Sequence, residues 1–152
     1  MEKSNELYRK VGEALHLCQV LELYIRILIS IFNDKFGSSL EQEGLILTED
    51  KYTLGKLINE LKKYASLDET GGKILAEALD KRNYISHHFF NKNTYAFSVD
   101  EVFEETIIKL TSDTKTIAKA VAMTQGFVEA FSKAFKIDMK DIFVKQSSEI
   151  GD

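Results

Sequence analysis

Apolar residues recur at alternating spacings of four and three from Leu7 through Val11, Ala14, Cys18, Leu21, Ile25, Leu28 and Phe32. That period marks one buried stripe on an α-helix, and the run corresponds to about 38 Å of helix at 1.5 Å per residue. Ser4 is placed to cap it and Glu6 puts negative charge in its opening turn. In the second half, Val20, Leu23, Tyr24, Ile27, Ile29 and Ile31 carry apolar surface around the circumference. Such a helix is expected to be covered on two faces, by other helices of the domain or by a second subunit. Phe36-Gly37-Ser38-Ser39 ends it, and residues 37–51 read as a connection in which Leu45-Ile46-Leu47 is too short to classify.

A second stripe, Leu54, Leu57, Ile58, Leu61 and Tyr64, predicts a shorter helix capped by Thr48 or Thr53. Lys56, Lys62 and Lys63 lie off that stripe, as a solvated face or as a rim that attracts phosphate. Asp68-Glu69-Thr70-Gly71-Gly72 reads as a turn; without glycine-rich spacing or a following Lys-Ser/Thr pair it is not a phosphate loop. From about Gly72 to Asn91, Leu75, Ala78, Leu79, Ile85 and Phe89 define a third helix with one buried face. Asn91-Lys92-Asn93-Thr94 is turn chemistry, and Tyr95-Ala96-Phe97 is expected as a short extended piece. Ser98 is placed to cap a second long helix, with a stripe through Phe103, Ile107, Leu110, Thr114, Ile117, Val121, Thr124, Val128, Phe131 and Phe135. Ile137, Met139, Ile142, Phe143 and Val144 suggest a short ordered segment, followed by a frayed tail. The expected fold is all-α: an up-and-down helical bundle with two long helices and two shorter ones. It forms a single domain over residues 1–145, with a flexible tail at 146–152.

The absence of proline and the presence of only eight glycines fit such long helices. A net charge of −4 argues against a broad nucleic-acid coat but leaves room for a local basic cleft. Cys18 is the single cysteine, which excludes an intrachain disulfide and a Cys-rich zinc site and suggests a reducing compartment. The N-terminal Met-Glu-Lys-Ser-Asn-Glu lacks the design of a signal peptide. Ile25 to Phe32, interrupted by Arg26 and Ser30, is too short to span a membrane. The expected location is the cytoplasm, without membrane association.

One residue breaks the pattern. Arg82 lies on the apolar stripe of the third helix, three residues from both Leu79 and Ile85. A guanidinium there needs a carboxylate, a cluster of acceptors or a wet cleft, because unpaired burial is very costly. Glu22, flanking the first stripe, is the leading candidate acid. Asp80, Asn83, Tyr84, His87 and Asn91 form a second, polar face. Arg82 and His87 are about 140° apart on an ideal helix, so they meet only if the helix ends or kinks, or if a symmetric copy faces them. Phe89, Phe90, Tyr95 and Phe97 beside the histidines either belong to the core or stack on bases.

Arg82-Asn83-Tyr84-Ile85-Ser86-His87 resembles the signature of HEPN domains, in which an arginine, often followed by a polar residue, precedes a histidine by four to six positions. The helical organisation over residues 4–135 is similar too. The resemblance implies a homodimer whose motif helices face each other across a cleft, and in active members a metal-independent ribonuclease without cofactor. His87 would exchange a proton with the RNA 2′-hydroxyl or the leaving oxygen, Arg82 would hold the scissile phosphate, and Asn83 would orient the ring or donate to the phosphate. Tyr84, Ser86, His88 and Glu22 are supporting candidates. A subgroup of toxins carries a tyrosine two residues after the histidine; Phe89 stands there, so nucleotide attachment to that tyrosine is not implied.

The expected function is thus a toxin-like or defence-type endoribonuclease acting on RNA, with a cognate antitoxin or another partner protein. The alternative is a non-catalytic helical dimer that binds a protein or nucleotide, with Arg82 in a structural ion pair. A third reading uses the apolar face of residues 20–31 to join a larger assembly. A metal hydrolase is least expected, since His87 and His88 are adjacent and no ligand spacing accompanies them.

Overall fold

The computed structural model describes residues 2–36 and 53–141. Every regular element among them is helical: α1 (Glu2–Phe36), α2 (Leu54–Tyr64), α3 (Glu69–His87), α4 (Phe89–Lys92), a 3₁₀ turn (Thr94–Phe97) and α5 (Asp100–Ala134). The all-α expectation holds, with α1 and α5 at 35 residues each and α2 and α3 at 11 and 19. The connection over 37–51, the capping role of Thr48, the segment Ile142-Phe143-Val144 and the tail at 146–152 lie outside the described residues.

Several boundaries differ from the sequence reading. α1 begins at Glu2, so Ser4 lies inside it rather than capping it. The supposed turn at 68–72 is instead the start of α3: Asp68 Oδ1 accepts a hydrogen bond from the Gly71 N–H at 2.7 Å. An N-cap aspartate outweighs the breaking tendency of two glycines that follow it into the first turn. Tyr95-Ala96-Phe97 is not extended but lies in the 3₁₀ turn. Thr53 does cap α2, accepting from the Lys56 N–H.

The chain divides into two compact units, Met1–Leu21 with Asp68–Ala122, and Glu22–Leu67 with Met123–Asp152. In the first unit, Leu7, Val11, Ala14, Cys18 and Leu21 of α1 are buried, as are Leu75, Ala78 and Ile85 of α3 and Phe103, Leu110 and Ile117 of α5. The stripe on α5 runs through Thr106, Asp113 and Ala120, all buried, rather than through Ile107 and Thr114, which are half-buried.

In the second unit, Leu54, Leu57, Ile58 and Leu61 present one buried face of α2. Phe32 stacks on Tyr64 at 6.2 Å and meets Phe131 edge-on at 4.9 Å between ring centres. Ile27, Ile29 and Ile31 are no more than 1% exposed. Of the apolar face of residues 20–31, Ile27, Ile29 and Ile31 are thus buried within the chain, while Val20, Leu23 and Tyr24 are half-buried. Each fully buried Leu or Ile contributes roughly 1.5–3 kcal/mol, so exposing this face for a partner would cost several such terms. An 18-residue window within Glu2–Asn33 reaches a mean hydropathy of 1.6 and is 44% buried inside the chain. By length and composition alone that helix could cross a membrane, although the shorter run Ile25–Phe32 could not; core helices of soluble bundles share the property.

α5 ends in a Schellman motif. The Ile137 N–H donates to the Ser132 carbonyl at 2.9 Å and the Lys136 N–H to the Lys133 carbonyl at 3.3 Å, with Lys136 at φ 55°. That left-handed position favours glycine, and a side chain there costs on the order of 1 kcal/mol. Lys136→Gly is expected to raise stability by up to about 1 kcal/mol, measured as an upward shift in the thermal midpoint.

Candidate functional site

The motif residues occupy the last two turns of α3. The helix stops at His87, and His88 (φ −125°, ψ −17°) both closes it, through its N–H to the Tyr84 carbonyl, and opens α4. The third helix, expected to run to about Asn91, therefore stops four residues earlier. It leaves Ser86, His87 and His88 exposed, with the two imidazole centres 6.3 Å apart.

Arg82 is half-buried, as its place on the stripe requires. Its Nη1 donates to Asn83 Oδ1 at 3.2 Å. Asn83 lies four residues before His87, on the same helix face. The contact joins a residue of the apolar stripe to one on the helix face that carries the imidazole. Arg82, Asn83 and Tyr84 are half-buried while His87 is open. The site is therefore graded from a protected cation to an accessible acid–base group.

Tyr84 anchors the same face. Its hydroxyl accepts from Asn93 Nδ2 at 2.9 Å, and that amide also donates to the Phe89 carbonyl at 2.7 Å. Lys109 Nζ sits 4.3 Å from the Tyr84 ring centre and Lys92 Nζ 6.0 Å, so two exposed ammonium groups attend the ring. Neither lysine was singled out from sequence, because nothing in local spacing links residue 109 to residue 84. Glu22 is half-buried in the second unit's part of α1, and its pairing with Arg82 remains an expectation.

A second feature lies beside the motif. Asp113, 5% exposed at its side chain, accepts from Lys81 Nζ at 2.9 Å, while its other oxygen, Oδ2, is buried without a hydrogen bond. Three residues from Leu110 and four from Ile117, Asp113 stood on an apolar stripe and could have been recognised by the reasoning applied to Arg82.

Among the described residues, cavities lie elsewhere. An apolar one of about 110 Å³ in the second unit is lined by Leu28, Phe32, Leu61 and Phe131 among others. A shallow polar one of about 420 Å³ in the first unit is lined by Glu69, Thr70, Lys73, Ile74, Glu77 and Lys119. The motif residues line neither. Among the described residues, no group of three or more His, Cys, Asp or Glu is placed to hold a metal ion. Comparison with protein-family models, curated proteins and solved structures finds no match to the chain.

The Lys81–Asp113 pair has a definite pH signature. The hydrogen bond to Asp113 raises the Lys81 pKa; desolvation opposes this, and the charges of Asp113, Asp80 and Glu77 add to the rise. A raised folded-state pKa means that the pair's contribution is complete below the ordinary lysine value of about 10.4 and is lost as pH climbs through the folded value. Lys81→Met, which strands a buried carboxylate, is expected to cost about 3 kcal/mol near neutrality. Adding Asp113→Leu should recover most of it. In urea titrations the gap between wild type and Lys81→Met should narrow above pH of about 10.4.

Proposed function

We propose that the chain is a HEPN-like dimeric endoribonuclease of the toxin or defence type, acting through His87, Arg82 and Asn83 without a metal. The observation that carries this reading is the hydrogen bond between half-buried Arg82 and Asn83, one turn before an exposed His87. A phosphodiester needs both groups at once. His87 takes the proton of the RNA 2′-hydroxyl as the O2′–P bond forms, or returns a proton to the 5′-oxygen as the P–O5′ bond breaks. Arg82 donates to the phosphate oxygens on which negative charge accumulates, and Asn83 holds the guanidinium in register. Lys92 and Lys109, gathered around Tyr84, add positive charge on a chain that is acidic overall. Two-fold pairing would place a second His87 opposite the first.

One observation favours a second reading, a non-catalytic dimer that binds a protein or nucleotide: Arg82 is half-buried and already engaged with Asn83, as a structural arginine would be. The two readings separate cleanly. For the nuclease, purified protein cleaves RNA in the presence of a chelator and leaves 2′,3′-cyclic phosphate ends. His87→Ala then lowers the rate at least about 100-fold, and Arg82→Ala lowers it by a similar factor. For the binding protein, Arg82→Ala loses stability or dimerisation in sedimentation while His87→Ala changes nothing. Equal cleavage by wild type and both variants overturns the nuclease assignment.

A further inference from the structure

Three aromatic rings from three elements meet at the surface of the first unit. Tyr8 of α1 lies 5.7 Å from Phe90 of α4 and 5.6 Å from Phe97 of the 3₁₀ turn, tilted by 45° and 43°. Phe90 and Phe97 stack on each other at 6.3 Å and 27°. Phe89, one residue earlier, is 2% exposed and belongs to the core, whereas Phe90 is 41% exposed and Tyr8 56%. α4 thus sends one of two consecutive phenylalanines inward and leaves the other in solvent. We infer that Tyr8, Phe90 and Phe97 form a platform on which unpaired bases of single-stranded RNA stack; this rests on the RNA-directed reading of Arg82 and His87.

The size of the patch decides its occupant. A covered aromatic residue buries roughly 150–250 Å², so two rings about half exposed offer on the order of 200 Å² together. A stable protein interface takes about 800 Å² per partner, several times more, whereas one or two bases match the patch. The ground beside Tyr8 is also clear. Gly12 follows it by four residues on the same helix face, is exposed, and a Cβ there would meet nothing within 4 Å. A flat ring can therefore approach the backbone at that point. His87 and His88 immediately precede Phe89 and Phe90, so a strand whose phosphate reaches His87 has the platform within a short length of chain. A duplex keeps its bases inside and cannot use such a surface. The chain's charge of −4 provides no general phosphate attraction, so stacking carries the binding and its salt dependence is shallow.

The test uses the full chain carrying His87→Ala, which keeps RNA intact, with a fluorescein-labelled single-stranded oligoadenylate of about 12 nucleotides. Tyr8→Ala and Phe90→Ala each raise the Kd about tenfold, the loss of one stacked base, while Tyr8→Phe binds like the parent. Circular dichroism shows the parent's helical signal for Tyr8→Ala at the temperature of the titration, with a melt lowered only by the loss of two partly exposed ring contacts. The chain contains no tryptophan, so Tyr8→Trp places a single reporter on the platform. Its emission is quenched saturably by the single strand and not by a duplex of the same length. Parent-like binding by Tyr8→Ala and Phe90→Ala without quenching overturns the platform and leaves the nuclease reading standing. Absence of both RNA binding and wild-type cleavage overturns both. A switch from dimer to monomer in Tyr8→Ala by sedimentation marks the rings as an interface instead.

Discussion

A permanent charge placed on an apolar helix face is the constraint around which the first unit is arranged. Arg82 cannot shed its proton, so its surroundings must supply acceptors or water. It is half-buried, and one of its donors is taken by the carboxamide next to it in sequence. The neighbouring cation, Lys81, is tied to the buried Asp113. The two adjacent positive charges of α3 are thus both held by side-chain acceptors, Arg82 by Asn83 and Lys81 by Asp113.

The long helices were legible because their periodicity runs for many turns. Each position of the α1 stripe from Leu7 to Phe32 is buried. On α5 the stripe drifted. A strict four-three alternation selected Ile107 and Thr114, while the helix buries Thr106 and Asp113. The period of 3.6 does not match 3.5, and where polar residues occupy the seam, hydrophobicity no longer corrects the drift. Short elements failed for a different reason. At Asp68 to Gly72 and at Tyr95 to Phe97, the conformation is decided by single hydrogen bonds, such as Asp68 Oδ1 to the Gly71 N–H, that compete closely with alternatives.

Of the candidate site, the identity and spacing of Arg82, Asn83 and His87 could be read directly, as could the burial of Arg82. The side-chain geometry could not. Whether a guanidinium extends along its stripe or folds sideways to Asn83 depends on rotamers that sequence spacing leaves open. Tyr84's attendants Lys92 and Lys109, and the meeting of Tyr8 with Phe90 and Phe97, join residues far apart in the chain. Only the local half of the aromatic cluster, from Phe89 to Phe97, is legible in the sequence.

The stop at His87 ties these features together. Four residues separate Arg82 from His87, which puts the two about 140° apart on a straight helix and keeps both in one element. Had α3 continued, His87 would sit inside a helix with a further turn of side chains folded over it, since long helical side chains lean toward the N-terminus and cover the preceding turn. Ending the helix there removes that cover: the residues that follow reorganise into α4, with Phe89 taken into the core and Phe90 left outside. Proton exchange needs an imidazole that solvent and substrate can reach, whereas a guanidinium gains strength as an anion receptor when it is partly withdrawn from water. The helix terminus lies just past His87 and leaves the imidazole open, while Arg82, about a turn and a half back inside α3, stays half-buried.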